Sequence, residues 1–292
     1  MKKILISILF LGLTLSLSGQ SLGFLAIHPD AATAGMAGTS VGQQANAYAP
    51  DNNMAAAALS TGRMDLGAGY TMWMPGISKN GILTASGYFK LTDRLALGAD
   101  WKNFSSPSYA ITSPEGRSTT EFTPKEFSIG LGASFRIVDG LAAGLHVKMA
   151  SSSLAKDAKG SAFGADISLK YEKDALQAGL SADNIGGKVK YGNSAYPMPL
   201  CIRGGAAYTF SGLTAAVEAD YLDGGVMAGA GLQYSIKDIA FVRAGYHYGK
   251  AIPSYASLGL GLQFAGIHAD FFYLLASETL KNTLGFGLGY RF

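Results

Sequence analysis

The sequence predicts an all-β fold: a transmembrane antiparallel β-barrel of about 14 strands, preceded by an N-terminal plug or hatch segment. Three observations predict it. Past about residue 60, apolar residues alternate with small or charged ones in segment after segment. Each segment is close to the ~9–11 residues that a tilted strand needs to cross a bilayer. Every second connection is tight, while the others tend to be longer, the turn asymmetry of outer-membrane barrels.

Composition sets the frame. The chain has 292 residues, of which 48% are hydrophobic and 15% charged, and its mean hydropathy is +0.19. Soluble domains carry about 25% charged residues. The one long apolar run is Ile4 to Leu15, and no later stretch reaches the ~18 apolar residues of a membrane helix. The apolar residues are therefore dispersed, and their spacing carries the information.

Residues 1–19 read as a secretory signal peptide: Lys2 and Lys3, the run "ILISILFLGLTL", then the small residues of "SLSGQ". Cleavage near Gly19 would leave Gln20 or Ser21 first, and no Cys lies there to be lipidated. Without Lys2 and Lys3 the balance is 21 basic to 20 acidic residues, which asks for no nucleic acid or acidic partner. Cys201 is the only cysteine, so no internal disulfide holds this exported chain together. A closed membrane barrel would.

Residues 20–60 lack a strand period. "FLAIHPDAATAGMAGTSVGQQANAYAPDNNMAAAALS" is rich in Ala, Gly, Asn and Met, as expected of a plug whose small residues approach the barrel wall. An ordered periplasmic extension is the alternative reading. Asp30 and Met36 are its candidate contacts.

Residues 61–292 form the barrel. "KEFSIGLGASFRI" places Phe127, Ile129, Leu131, Ala133, Phe135 and Ile137 on one face, with Ser128, Gly130, Gly132, Ser134 and Arg136 on the other. "SAFGADISLKY" and "LTAAVEADY" repeat the pattern. Strand starts are expected near Arg63, Asn80, Asp93, Lys125, Asp139, Ser161, Ala175, Pro199, Leu213, Val226, Asp238, Ser254, Ile267 and Lys281. Tight turns fall at Leu91–Asp93, Val138–Gly140, Glu172–Asp174, Ser211–Gly212, Lys237–Asp238 and Ala265–Gly266. The long connections include "SSPSYAITSPEGRSTTEFTP", "SSSLAKDAKGS" and "NIGGKVKYGNSAYPMP". Two more of that set, at Asp223–Gly225 and Ser277–Thr279, are short. With N- and C-termini both periplasmic, the long loops fall outside the cell.

Inward faces carry both signs of charge. Arg136, Asp166, Arg203, Glu218, Arg243 and Asp270 are the candidate plug and lumen contacts. Asp65, Asp100, Lys148, Lys170, Asp183, Asp220 and Arg291 also face inward, as do His146, His247 and His268. Mixed charges suit a filled lumen; a narrow conduit is the alternative. On the outer loops, Trp73, Tyr109, Phe122, Tyr191, Tyr196 and Met198 are candidate partner contacts. An aromatic belt at the lipid interface explains Trp73 and Tyr191 as well.

No chemistry emerges. The four histidines lack metal-ligand spacing, the alternating glycines precede no helix, and no nucleophile elbow or paired-carboxylate motif is present. The expectation is a non-enzyme without cofactor or metal.

"FLAIHPDAATAGMAG", "NNMAAAAL" and "GAGYTMWMP", together with "GLSADNIGGKVKYGNSAYPMPLCIRGGAAYTF", resemble the PorV/PorQ family of Bacteroidota outer-membrane proteins. The chain departs from that family at "DNNMAAAAL", where Asn-Pro-Ala is usual. The resemblance implies a barrel like the fatty-acid transporter FadL and a role in type IX secretion and surface attachment. Its partners would be other outer-membrane proteins or secreted cargo, outer-membrane lipid, and the barrel assembly machinery during biogenesis. The final strand, with Tyr290 and Phe292, is similar to the terminal signal that this machinery reads. A FadL-like transporter of hydrophobic small molecules, or a structural subunit of another outer-membrane complex, would use the same scaffold.

Overall fold

Alternation at period two forces each strand to present one apolar and one polar face, and a barrel is the closed sheet that sorts those faces without leaving an edge. The computed structural model describes residues 22–112, 116, 118–222, 224–276, 280 and 282–292. The expected signal peptide and the Ser277–Thr279 turn lie outside them, as does Asp223.

Eighteen strands are present among the described residues: β1 Met64–Trp73, β2 Asn80–Lys90, β3 Leu95–Ser105, β4 Tyr109–Thr112, β5 Ser118–Phe122, β6 Lys125–Val138, β7 Leu141–Ala155, β8 Ala158–Lys173, β9 Leu176–Gly186, β10 Lys188–Tyr191, β11 Ser194–Pro197, β12 Cys201–Phe210, β13 Leu213–Leu222, β14 Gly225–Ile236, β15 Ala240–Tyr248, β16 Tyr255–Phe264, β17 Ile267–Ala276 and β18 Leu284–Arg291. Fourteen of these close into an antiparallel barrel, sealed where β1 pairs with β18. The other four form two hairpins, β4–β5 and β10–β11. Along β16 the faces separate cleanly: Leu258, Leu260 and Leu262 are 50–61% exposed, while Ser257 between them and the plug is 1% exposed. An apolar exterior around a buried polar interior is the inverse of a soluble protein, and it suits lipid.

The two rims differ. One carries the short turns. At Ser211–Gly212, Lys237–Asp238 and Ala265–Gly266 both residues have positive φ, the two-residue geometry that matches strand twist. Phe292 lies at this turn rim, where its backbone exchanges hydrogen bonds with Met64. The opposite, hairpin rim carries β4–β5 and β10–β11. Sequence reading treated those segments as loops. It also treated "SSSLAKDAKGS" as a loop, but β7 and β8 run through it and turn at Lys156–Asp157. Polar Ser151, Ser152 and Ser153 continue the ladder with β6 and β8, which backbone hydrogen bonding permits whatever the side chain.

Residues 22–60 fill the lumen. Short helices at Ala31–Gly35, Ala49–Asn52 and Ala55–Leu59 contact strands on opposite walls: the first touches β15–β18, the other two touch β2, β3 and β6, and the last also touches β7 and β8. Close approach requires glycine on the wall. A Cβ at Gly231 would lie 2.6 Å from the Met36 carbonyl oxygen, and a Cβ on plug residue Gly42 would lie 2.8 Å from Ala206 backbone.

The first described residues lie at the rim opposite Phe292. Leu22, Phe24 and Leu25 pack with Ala150, Ala162, Val189 and Met198 at the hairpin rim, because the apolar lining beneath β10–β11 is where three large apolar side chains escape the charged lumen. From there the segment traverses the barrel and joins β1 at the turn rim.

Candidate functional site

The plug is joined to the wall by charge-assisted hydrogen bonds, the strongest kind available in a low-dielectric interior. Their centre is Arg203, on the inward face of β12. Its Nε donates to Asp183 Oδ2 at 2.7 Å and to Ser181 Oγ at 3.2 Å on β9. Its terminal nitrogens reach the plug: Nη1 donates to Ser40 Oγ at 2.8 Å, and Nη2 donates to the carbonyls of Asn52 at 2.6 Å and Asp51 at 3.2 Å. Glu218, on β13, accepts from the backbone N–H groups of Ser40 at 2.6 Å and Val41 at 2.7 Å. On the far side, Lys102 bridges Asp51 at 3.3 Å and donates to the Ile27 carbonyl. Lys170 donates to the carbonyls of Gly42 and Gln43.

A second set of pairs lies within the wall. His146 is held by Asp100 and Asp166, one on each ring nitrogen, an arrangement that only the doubly protonated imidazolium satisfies as a donor. Lys148 pairs with Asp166 at 2.8 Å. Asp166 also accepts the N–H of Asn184, 2.7 Å away. Here β9 bulges against β8: the pairing shifts between Ala165 and Ile167, leaving Asp183 and Asn184 opposite Asp166. Asn184 takes φ +61°, a left-handed conformation that Asn tolerates better than most residues. This is the physical content of the Asn184-Ile185-Gly186 motif. Toward the turn rim, Arg243 pairs with Asp270 and Gln233, and Arg291 and His268 pair with Asp65.

The predicted residues thus fall into distinct places. Arg203 and Glu218 tie wall to plug. Arg136 reaches the Ala58 carbonyl at 3.4 Å. Asp166, Arg243 and Asp270 pair within the wall. Asp30 bonds only inside the plug, capping the helix at Ala32 N and accepting from Thr33 and Asn46. Met36 is buried against Ala207 and Ala216. Lys102 is a plug tie that sequence reading missed, although its alternation with Asp100 on β3 places it inward.

One outer-loop expectation is corrected. Met198 is 2% exposed because its thioether packs under the hairpin against Gly164 and Gly187, so it offers nothing to a partner. Trp73 packs onto the cluster of Ala31, Tyr255 and Phe272. Tyr109 and Phe122 make a tilted ring pair across β4–β5 with centroids 5.8 Å apart, and Tyr191 and Tyr196 make another across β10–β11 at 6.0 Å. Tyr290 and Phe292 make an edge-on pair at 4.3 Å at the turn rim.

Burial shapes the charge states of the plug. His28 is pushed down to about 3, first by loss of solvent and then by Arg203, so it is neutral. Burial raises the Asp30 carboxyl. Burial would also raise Asp51, but Lys102, Lys148 and Arg203 together hold it below its usual range.

Space remains between plug and wall. A polar vestibule of about 300 Å³ lies toward the turn rim, between plug residues Asp30, Gln43 and Asn46 and wall residues Gln233, Arg243 and Asp270. A smaller cavity of about 50 Å³ has a mixed lining, with Asp51, Lys148, Asn184, Arg203, Asp220 and His247 facing Leu25, Ile27, Leu222, Met227 and Ile252. Among the described residues no His, Cys, Asp or Glu cluster is arranged to hold a metal ion.

Comparison with known proteins places the chain. The barrel is similar to the toluene transporter TbuX of Ralstonia pickettii, with 12% identity, 91% of this chain and 97% of that chain covered, and a TM-score of 0.66. It is also similar to the toluene transporter TodX of Pseudomonas putida (14% identity, 88% and 95% covered, TM-score 0.63) and to a FadL homologue of Pseudomonas aeruginosa (13%, 89% and 98%, 0.62). At these identities the likeness shows the fold alone: a FadL-like barrel. No curated protein matches the sequence significantly. The family described as type IX secretion system protein PorV matches residues 17–215. That is more than half of the chain, and the matched region includes the plug, the Asn184 bulge and Arg203: this chain belongs to the PorV family and is an outer-membrane β-barrel of the type IX secretion system.

Proposed function

We propose that this barrel acts without catalysis, as a protein-binding component that engages secretion partners or cargo through its hairpin rim and outer wall rather than by passing solute through its lumen. The observation that carries this reading is the filled lumen. Residues 22–60 are hydrogen-bonded to β12, β13, β3 and β8 by buried charged groups, and Val189 and Met198 close the hairpin rim. A plug fixed at so many points blocks a conduit.

The rim of Phe292 and the tight turns faces the periplasm in this reading, and the hairpins face outward. Tyr109 and Tyr196, at 41% and 37% exposed, then sit where a protein arriving at the surface would meet them. The fold likeness to hydrocarbon transporters supports a second reading, transport of hydrophobic small molecules. The charged and amide lining of the vestibule disfavours it, since an apolar solute would strip those groups of hydration.

The test is affinity capture of the tagged barrel from native outer membranes in mild detergent, alongside single-channel recording in planar bilayers. Capture of secretion-system components or their cargo, with no conductance, is expected. A barrel that emerges alone with a bound hydrophobic molecule, or that conducts steadily, overturns the proposal.

A further inference from the structure

The charged groups around the small interior cavity do not balance. Its charged lining is Asp51, Asp183 and Asp220 against Lys148 and Arg203. Carboxylates outnumber cations there by one, and His28 stays neutral. Uncompensated charge buried away from water is among the costliest features a fold can carry.

Acceptors without donors mark where the deficit lies. Asp220 Oδ1 and Asn184 Oδ1 are buried with no hydrogen-bond partner, as is His247 Nε2. Asp220 is 8% exposed, Asn184 4% and His247 5%. All three line the same 50 Å³ cavity. The amide of Asn184 is fixed, because its Nδ2 donates to the Pro199 carbonyl at 2.9 Å, so the oxygen is the atom left over. Two unused oxygens and a ring nitrogen face a space with room for about three water-sized bodies, at ~10–15 Å³ each.

We propose that this cavity is a binding site for a small monovalent cation of the sodium or potassium class, held with one or two waters by Asp220 Oδ1 and Asn184 Oδ1. Its charge offsets the carboxylate excess, and its position between Asp51 of the plug and Asp220 of the wall makes it a tie between them. A divalent ion fits less well. Calcium and magnesium take six or more oxygen ligands, commonly with several carboxylates. No such cluster is present among the described residues, and Arg203 and Lys148 line the same space. An anion is excluded by the same acceptors. The site is independent of the partner-binding role proposed above and survives its failure.

The experiment uses the full barrel in detergent. Its unfolding midpoint is measured in sodium, potassium and rubidium chloride against N-methylglucamine chloride, a cation too large for the cavity, at constant ionic strength and pH. Crystals soaked in rubidium or thallium salts are examined for anomalous scattering. The expected results are a midpoint several degrees higher in at least one small cation, an anomalous peak between Asp220 and Asn184, and loss of the ion-specific difference in Asp220→Asn. Should that variant fail to fold, the wild-type soak and salt comparison still decide. Equal midpoints in all four salts with no peak in the cavity overturn the proposal. So does a midpoint that follows pH but not the cation, which would assign the missing charge to protons on the carboxylates.

Discussion

Replacing Arg203 with Met tests whether the plug is held by its charged ties. Met keeps most of the side-chain volume and removes the guanidinium. In the native structure that group satisfies Asp183, Ser181, Ser40 and two plug carbonyls while 6% exposed. Removing one partner of a buried pair typically costs about 3–5 kcal/mol, because the other charge stays buried and unpaired. Here Asp183 and Glu218 both lose their guanidinium partner, so the upper half of that range applies. At about 2–4 °C per kcal/mol for a chain near this size, the midpoint falls by about 8–20 °C. The assay is heat-modifiable gel mobility of the folded barrel, together with limited proteolysis after Arg63 at the junction of plug and barrel, since residues 22–60 contain no Lys or Arg. The expected outcome is a lowered midpoint and cleavage at Arg63 before the barrel itself unfolds. A midpoint within about 2 °C of wild type and an intact junction would refute the argument that Arg203 fastens the plug.

The remaining tests probe other links. Gly231→Val places a side chain against the Met36 carbonyl, 2.6 Å from the ideal Cβ position; it should loosen the plug and raise bilayer conductance above a silent wild type, whereas Gly76→Val, where nothing lies within 4 Å of the added carbon, should not raise it. Met198→Asp buries an unpaired charge under β10–β11 and should cost at least about 2–3 kcal/mol, read as a fall in midpoint. Tyr196→Asp, on the exposed face of the same hairpin, should leave the midpoint alone and weaken partner capture. His28 sits near 3 in the fold against 6.5 unfolded, so the unfolded chain binds the extra proton between those values. Stability contributed by keeping His28 neutral is complete above about pH 6.5 and declines as pH falls toward 3; His28→Gln should flatten that limb in a pH series of unfolding midpoints.

How much of this was legible follows from which interactions are local. Strand faces were, because period two is written directly in the residues: Lys148, Asp166, Lys170 and Glu218 all face the lumen as their spacing requires. Tight turns were, because Gly212 and Gly266 supply positive φ at fixed places. The hairpins β4–β5 and β10–β11 were not, since each strand is only four or five residues long and is held by its partner rather than by a pattern. Met198 was misread because its burial depends on a hairpin folding back over β8, a long-range event. The pairing of particular charges was hidden for the same reason. Alternation says that Arg203 faces inward, but only the barrel closure and the plug path decide that it meets Asp183, Ser40 and Asn52.

The path of the plug constrains how such a barrel can form. Residues 22–25 pack at the hairpin rim and residue 63 joins β1 at the turn rim, so the segment runs the length of the lumen. Threading it through a finished barrel would drag Asp30, Asp51 and the amides of Asn52 and Asn53 past a wall that already carries Lys102, Arg203 and Glu218, breaking each hydration shell before the matching bond exists. If the wall closes last, at the β1–β18 seam, each buried charge meets its partner as water leaves. Lys102 finds Asp51, Arg203 finds Ser40 and Asn52, and Glu218 finds the N–H groups of Ser40 and Val41. The polar ties then act twice: they position the plug on a half-built sheet, and they hold it there once the seam is shut. An apolar plug would gain little from that order, because it would pack equally well in many registers. The residues that tie the plug in this lumen are charged and amide-bearing because such groups specify one arrangement.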